Sequence, residues 1–273
     1  MLELLFYNNS ELLEGPEYIK ETNSLLFVSI KNHAIHIMSL DNGFVKTVKT
    51  DGTVGCATNL GNNKLISAEK NGIYKVNTET GEKILVCHPI TDSRMRYNDG
   101  KLDPKGRLIV GTMGENERCP EECSVYSVEP DGSYKVLISG TTISNGLGWT
   151  KDGKKMFFID TPTKNVCVYD YDCDSGEVSN KKVFVTITEE GAFPDGMCVD
   201  FDDNIWVAEW GGRKVCKYDI KTKEKICQID LPVTNVSSCC VGGENNEYLF
   251  ITTAKTPNNF EQLAGGLFRF KIR

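Results

Sequence analysis

The sequence predicts an all-β fold, a six-bladed β-propeller, and three observations carry that expectation. A unit of apolar strand, short polar turn and second alternating strand recurs along the chain. Period-two alternation prevails over any long helical pattern. Turn signals such as DNG, ETG, PDG and DSG punctuate it at short intervals.

The repeats run in order. They read LLFVSIKNHAIHIMSLDNG from Leu25, LISAEKNGIYKVNTETGE from Leu65 and LIVGTMG from Leu108. The later three are MFFIDTPTKNVCVYDYDCDSGE from Met156, IWVAEWGGRKVCKYDIKTKE from Ile205 and LFITTAKTP from Leu249. Taking Leu26, Leu65, Leu108, Met156, Ile205 and Leu249 as equivalent gives steps of 39, 43, 48, 49 and 44 residues. Four-stranded blades run roughly 40–45 residues, so six of them nearly exhaust the chain. The N-terminal LELLFY is expected to pair with the C-terminal GLFRFKI, so that one blade is built from both ends and residues 1–273 form a single domain.

Composition is that of a soluble globular protein, with 40% apolar and 25% charged residues. The net charge of −7, from 38 acidic and 31 basic side chains, gives no reason to expect nucleic acid or an anionic membrane as partner. No stretch approaches the ~18 apolar residues needed to cross a bilayer. The opening MLELLFYNNS, with Glu3, does not read as a signal peptide. Eleven scattered cysteines without a CxxC pair read as reduced thiols, which places the protein in the cytoplasm. Cys119 and Cys123 of CPEEC lack the second Cys or His pair that a structural zinc requires. Nothing in the sequence assigns an oligomeric state.

A shorter repeat precedes each strong strand by about ten residues. Five units carry a glycine there, in Glu14-Gly15, Val54-Gly55, Asp99-Gly100, Asn145-Gly146 and Asp195-Gly196; the sixth reads Ser237-Ser238-Cys239-Cys240. This is where the innermost strand of a blade begins, and glycine lets backbones crowd around an axis. The residue before each glycine is then expected on one ring facing the channel, with Glu14, Asp99, Asn145 and Asp195 as its polar members. Singly, each reads equally as a turn residue. Together, several carboxylates converging on a dry site call for a cation. Its ligands would be oxygens, because His33, His36 and His88 fall outside the ring. Oxygen ligation favours Ca²⁺, Mg²⁺ or Mn²⁺ and admits Zn²⁺.

The segments LLEGPEY, RYNDGKLDPKGRLIVGTM, ISNGLGW, PDGMCVD and SSCCVGG resemble, in order, the gluconolactonase family, which includes regucalcin and the luciferin-regenerating enzymes. The resemblance runs from about Glu14 to Gly266 and implies the same six-bladed fold. It implies metal ligation by Glu14, Asn145 and Asp195, and substrate contacts by Arg96 and Asn98. Asp99 is expected to steady the ligands from behind. Met113 either lines the pocket wall or packs as ordinary core. One departure stands out: regucalcin-like members carry an acidic pair after GTM, where this chain reads Gly114-Glu115-Asn116-Glu117-Arg118.

The implied reaction is hydrolysis of a sugar-like lactone, of gluconolactone or aldonolactone type, or of another small lactone, with the metal polarising the carbonyl and Asp195 assisting the attack of water. The alternatives are hydrolysis of another ester, such as an organophosphate, and a non-enzymatic calcium-binding role. GxSxG, HExxH and Walker A motifs are absent. Asp170-Tyr171-Asp172-Cys173-Asp174-Ser175-Gly176 resembles an EF-hand start, but Ser175 replaces the required glycine and Lys181 the twelfth-position Glu, so a hairpin turn is expected. Lys221–Lys225 is expected to be a solvated turn.

Overall fold

Short apolar runs bounded by turn residues give strands rather than helices. The computed structural model describes residues 1–116, 118–257 and 260–273, and these strands gather into six four-stranded antiparallel sheets around a central channel. β1 (Leu2–Tyr7) belongs to the last blade. The first blade is β2 (Leu13–Ile19), β3 (Ser24–Ser29), β4 (Ala34–Ser39) and β5 (Val45–Lys49). The second is β6 (Val54–Gly61), β7 (Lys64–Glu69), β8 (Gly72–Asn77) and β9 (Lys83–Cys87). The third is β10 (Met95–Leu102), β11 (Leu108–Gly114), β12 (Cys123–Val128) and β13 (Tyr134–Thr141). The fourth is β14 (Ser144–Trp149), β15 (Lys155–Asp160), β16 (Asn165–Asp172) and β17 (Glu177–Thr186). The fifth is β18 (Phe193–Val199), β19 (Ile205–Trp210), β20 (Lys214–Tyr218) and β21 (Lys225–Asp230). The sixth is β22 (Asn235–Gly242), β23 (Tyr248–Ala254) and β24 (Gly266–Lys271), completed on its outer side by β1.

Burial follows position in the blade. β3 is buried along its whole length, whereas β21 is exposed at nearly every residue. Neighbouring blades pack through the inner strands' side chains: Leu26, Val28 and Ile35 meet Leu65 and Val76, and Trp206 and Val215 meet Leu249 and Phe268. Each fully buried Leu, Ile or Phe stabilises the fold by roughly 1.5–3 kcal/mol. β1 runs antiparallel to β24 from Leu2 opposite Phe270 to Tyr7 opposite Gly266, which covers the edge of β24 and makes β1 the outer strand of the last blade. Glu3 and Arg269 add an ion pair at 2.6 Å, which contributes little at a surface.

The innermost strands share a feature that positions the site. Each of β2, β6, β10, β14, β18 and β22 breaks register with its neighbour near its start. In four blades two residues oppose one, as bulges do: Gly15-Pro16, Asn98-Asp99, Asn145-Gly146 and Asp195-Gly196. A bulge frees a residue from the ladder and re-aims its side chain.

The glycine alignment therefore needs corrections in two blades: in the first, the bulge begins at Gly15 and Glu14 precedes it, paired with Val28, and in the third the glycine is shifted the other way. The register puts Asn98, not Asp99, in the slot that Asn145 and Asp195 occupy, and Asp99 takes the place of Gly146 and Gly196. Close approach explains four of the five glycines: an added Cβ would come within 2.4 Å of Asn98 O at Gly55 and within 2.1 Å of Ser238 Oγ at Gly196. Gly100 and Gly146 are similarly crowded. Gly15 is there for another reason, since its surroundings are open and its φ of 54° is left-handed.

The Asp170–Gly176 segment is a hairpin turn, with Asp172 Oδ1 accepting from the Asp174 and Ser175 amides. Lys221–Lys225 turns between β20 and β21. Among the described residues no helix is long and apolar enough to cross a membrane.

Candidate active site

One end of the channel holds a cavity of about 190 Å³ that gathers Glu14, Arg96, Asn98, Met113, Asn145 and Asp195. They come from the starts of β2, β10, β14 and β18 and from the end of β11. Leu12, Ile143, Thr161 and Trp210 complete the wall. None of the histidines lines it.

A chain of directed hydrogen bonds fixes the polar groups. Arg96 Nη1 donates to Asn98 Oδ1 and to its own neighbour's carbonyl, Tyr97 O, both at 2.8 Å. Asn98 Nδ2 donates to Ser144 O at 2.9 Å and to Asn145 Oδ1 at 3.1 Å. Asn145 Nδ2 donates to Thr161 Oγ1 at 2.8 Å, and the Thr161 hydroxyl donates to Pro194 O at 2.9 Å. The chain thus ties blades three, four and five together, ending beside Asp195. It also sets the Asn145 amide: with Nδ2 committed to Thr161, Oδ1 keeps one lone pair beyond the bond from Asn98.

The carboxyls are electrostatically strained. Burial, then the charge of Asp99, pushes Glu14 up to about 8, against the Gly15 amide bond and the charges of Arg96 and Lys101. Burial raises Asp195 well above the carboxylate range, with Glu14 and Asp99 adding to it and Arg96 opposing. Burial likewise raises Asp99. Arg96, desolvated in turn, is lowered to about 10 while the carboxylates hold it up, so it stays a cation at neutral pH. Asp99 lies outside the cavity lining; its Oδ1 accepts from the Gly100 amide at 2.8 Å, and its Oδ2 is buried without a partner.

These residues fit a divalent cation. Glu14 and Asp195 share the cavity with one buried guanidinium, and Asp99 adds a third buried carboxyl outside its lining, an excess of negative charge that a cation would relieve. Among the described residues no group of three or more His, Cys, Asp or Glu side chains is arranged to hold a metal. The oxygen donors that share the cavity are the Glu14 and Asp195 carboxyls and the amide oxygen of Asn145, types that suit a hard cation.

Glu115, the first acid after GTM, does not line the cavity. Glu115 is bound by Lys70 Nζ at 2.5 Å and Thr53 Oγ1 at 3.1 Å. Burial works against its charge, but these bonds prevail and hold it below the ordinary range. Asn116 is exposed, and Glu117 lies outside the described residues.

Thr161 and Trp210 were not singled out from the sequence, yet a signal existed. Met113, Thr161 and Trp210 each stand five positions after a repeat anchor, Leu108, Met156 and Ile205. The same offset from Leu65 marks Lys70, the partner of Glu115.

A six-bladed propeller with an oxygen-lined acidic site at one channel mouth defines a class of protein. Residues 12–255 match the family described as SMP-30/Gluconolactonase/LRE-like region, and the chain belongs to that family. It is 30% identical to human regucalcin over 279 residues, covering 98% of this chain and 93% of regucalcin. It is 34% identical over 267 residues to YvrE of Bacillus subtilis, whose name proposes sugar lactone lactonase activity, covering 95% of this chain and 90% of YvrE. Among solved structures, a luciferin-regenerating enzyme superposes with a TM-score of 0.91 at 26% identity, covering 98% of this chain and 94% of the enzyme.

Proposed function

We propose that the protein is a metal-dependent lactonase that opens a small lactone to its hydroxy acid, with one divalent cation held by Glu14, Asn145 and Asp195. The observation that carries this reading is the sharing of one cavity of about 190 Å³ by two buried carboxyls, an amide oxygen and a buried guanidinium. Membership of a family described by gluconolactonase, and the activity in YvrE's name, support the chemistry.

When bound, the cation, Ca²⁺, Mg²⁺, Mn²⁺ or Zn²⁺, supplies positive charge that polarises the ester carbonyl and stabilises the developing oxyanion. The chain's own residues do the rest. Arg96 offsets the negative charge of the cavity, and Asn98, held by Arg96 and Ser144, orients Asn145. Asp195 Oδ accepts the proton of the attacking water as the new C–O bond forms at the acyl carbon. The ring C–O bond then breaks, and the proton passes from Asp195 to the departing oxygen, so ester and water balance to hydroxy acid. Asp195 serves as a base only when ionised, which its burial beside Glu14 and Asp99 opposes and adjacent positive charge favours.

A calcium buffer needs ligands alone. The Arg96–Asn98 pair in the same cavity favours an enzyme. Asp195→Asn is the test: acid release from lactones should fall about 100-fold or more in kcat, and an undiminished rate would remove Asp195 from the reaction.

A further inference from the structure

Granting the lactonase reading, the cavity wall bears on which lactone. We propose that the substrate is a small lactone bearing an apolar, alkyl-type substituent rather than a polyhydroxylated sugar lactone.

Four side chains form the part of the wall that is not reaction machinery: Leu12, Met113, Ile143 and Trp210. All are half-buried; Leu12, Met113 and Ile143 are apolar throughout, and Trp210 adds a large ring with one indole N–H. Several of the polar members are already committed to one another. Thr161 accepts from Asn145 and donates to Pro194 O; Asn98 bonds Arg96, Ser144 and Asn145; Glu14 accepts from the Gly15 amide. Polar capacity beyond these bonds lies on the reaction groups themselves, Arg96, whose Nε is buried without a partner, and the Glu14 and Asp195 carboxyls, so a substrate hydroxyl lying against Leu12, Met113 or Ile143 finds no side-chain partner there, and an unpaired buried hydroxyl is costly. Glu115 is engaged by Lys70 and Thr53, Asn116 is exposed, and neither lines the cavity.

The volume sets the size. About 190 Å³ corresponds to roughly six waters, room for a five- or six-membered ring and a short chain. A hydrophobic pocket gains about tenfold or more per methylene it is shaped to accept, so the preference should rise along a homologous series until the space is filled.

The experiment compares kcat/KM for γ-butyrolactone, γ-valerolactone, γ-caprolactone and glucono-1,5-lactone on the protein supplied with divalent cation. The proposal expects the alkyl lactones to rise along the series and γ-caprolactone to exceed gluconolactone by about tenfold or more. Trp210→Ala should narrow that ratio about fivefold or more, chiefly through KM. Tryptophan fluorescence provides a readout without turnover: 4-hydroxyhexanoate should quench it saturably, gluconate should not, and the response should vanish in Trp210→Phe. Gluconolactone preferred or equal would overturn the substrate class while leaving the lactonase standing. No turnover of any lactone would overturn the lactonase and the substrate class with it.

Discussion

Asn98 Nδ2 donates to Asn145 Oδ1 at 3.1 Å, joining the innermost strands of two adjacent blades across the channel mouth. The bond settles which way the Asn145 amide faces, and so which atom it can offer to a cation. Asn98→Asp replaces the donor with an acceptor and sets two oxygens against each other. Cation affinity should fall about 10–100-fold, the usual consequence of losing a group that orients a ligand. Isothermal titration with Ca²⁺ or Mn²⁺ reads this directly, and unchanged affinity would show that Asn145 needs no such support.

Removing the cation should expose the strain among the carboxyls. At about 100 Kd of free cation the folded state gains roughly 2.7 kcal/mol, or roughly 5–10 °C in Tm for a chain of this size. Chelation should abolish the gain. Glu14→Gln should lose the cation response, yet melt no lower than the chelated wild type, because it replaces a carboxyl whose ionised form burial and Asp99 disfavour with a neutral amide. Calorimetry of both proteins, chelated and loaded, checks the pair of outcomes.

His36 makes a pH-dependent contribution away from the site. Its ring lies 5.3 Å from Phe6 and 5.2 Å from Phe27, Nδ1 meets Thr47 Oγ1 at 3.0 Å, and Nε2 is buried without a partner. Burial, with the charge of Lys49, lowers its pKa to about 4, so the unfolded chain takes up a proton near 6.5 that the folded protein refuses until about 4. The unfolded state then binds more protons in that window, and stability falls as pH falls through it. Between about pH 7 and pH 5 the wild type should lose roughly 2 kcal/mol more than His36→Gln in urea unfolding. Parallel pH dependence in the two proteins would contradict this.

Gly55→Ala tests the crowding around the axis. The new Cβ would sit 2.4 Å from Asn98 O and 2.5 Å from Tyr97 C, so the start of β10 must move. We expect about 1–3 kcal/mol of destabilisation by overpacking. Weaker cation binding should accompany it, although Gly55 lies outside the cavity lining. Gly15→Ala should instead act through its left-handed φ of 54°, since its surroundings are open.

The fold was legible because the repeat is written in strand alternation and turn residues, both local signals. The cavity residues were legible where a glycine or a family segment marked them, as at Glu14, Asn145 and Asp195. The exchange of Asn98 for Asp99 was not, because a bulge is a property of the pairing between two strands and the dipeptide looks the same in either register. Thr161 and Trp210 escaped notice because their types carry no metal or acid–base chemistry, although their offset of five from the repeat anchors placed them beside Met113. The fate of Glu115 depended on Lys70, 45 residues earlier, and no local pattern announces such a pair.

The central claim is that Glu14, Asn145 and Asp195 hold a cation that lactone hydrolysis requires. The most direct measurement is acid release from a lactone panel by chelated protein and by the same protein refilled with Ca²⁺, Mg²⁺, Mn²⁺ or Zn²⁺, with Asp195→Ala alongside. The account predicts turnover that disappears on chelation, returns with at least one cation and is absent from the variant under every condition. Turnover that survives both chelation and the substitution would contradict it.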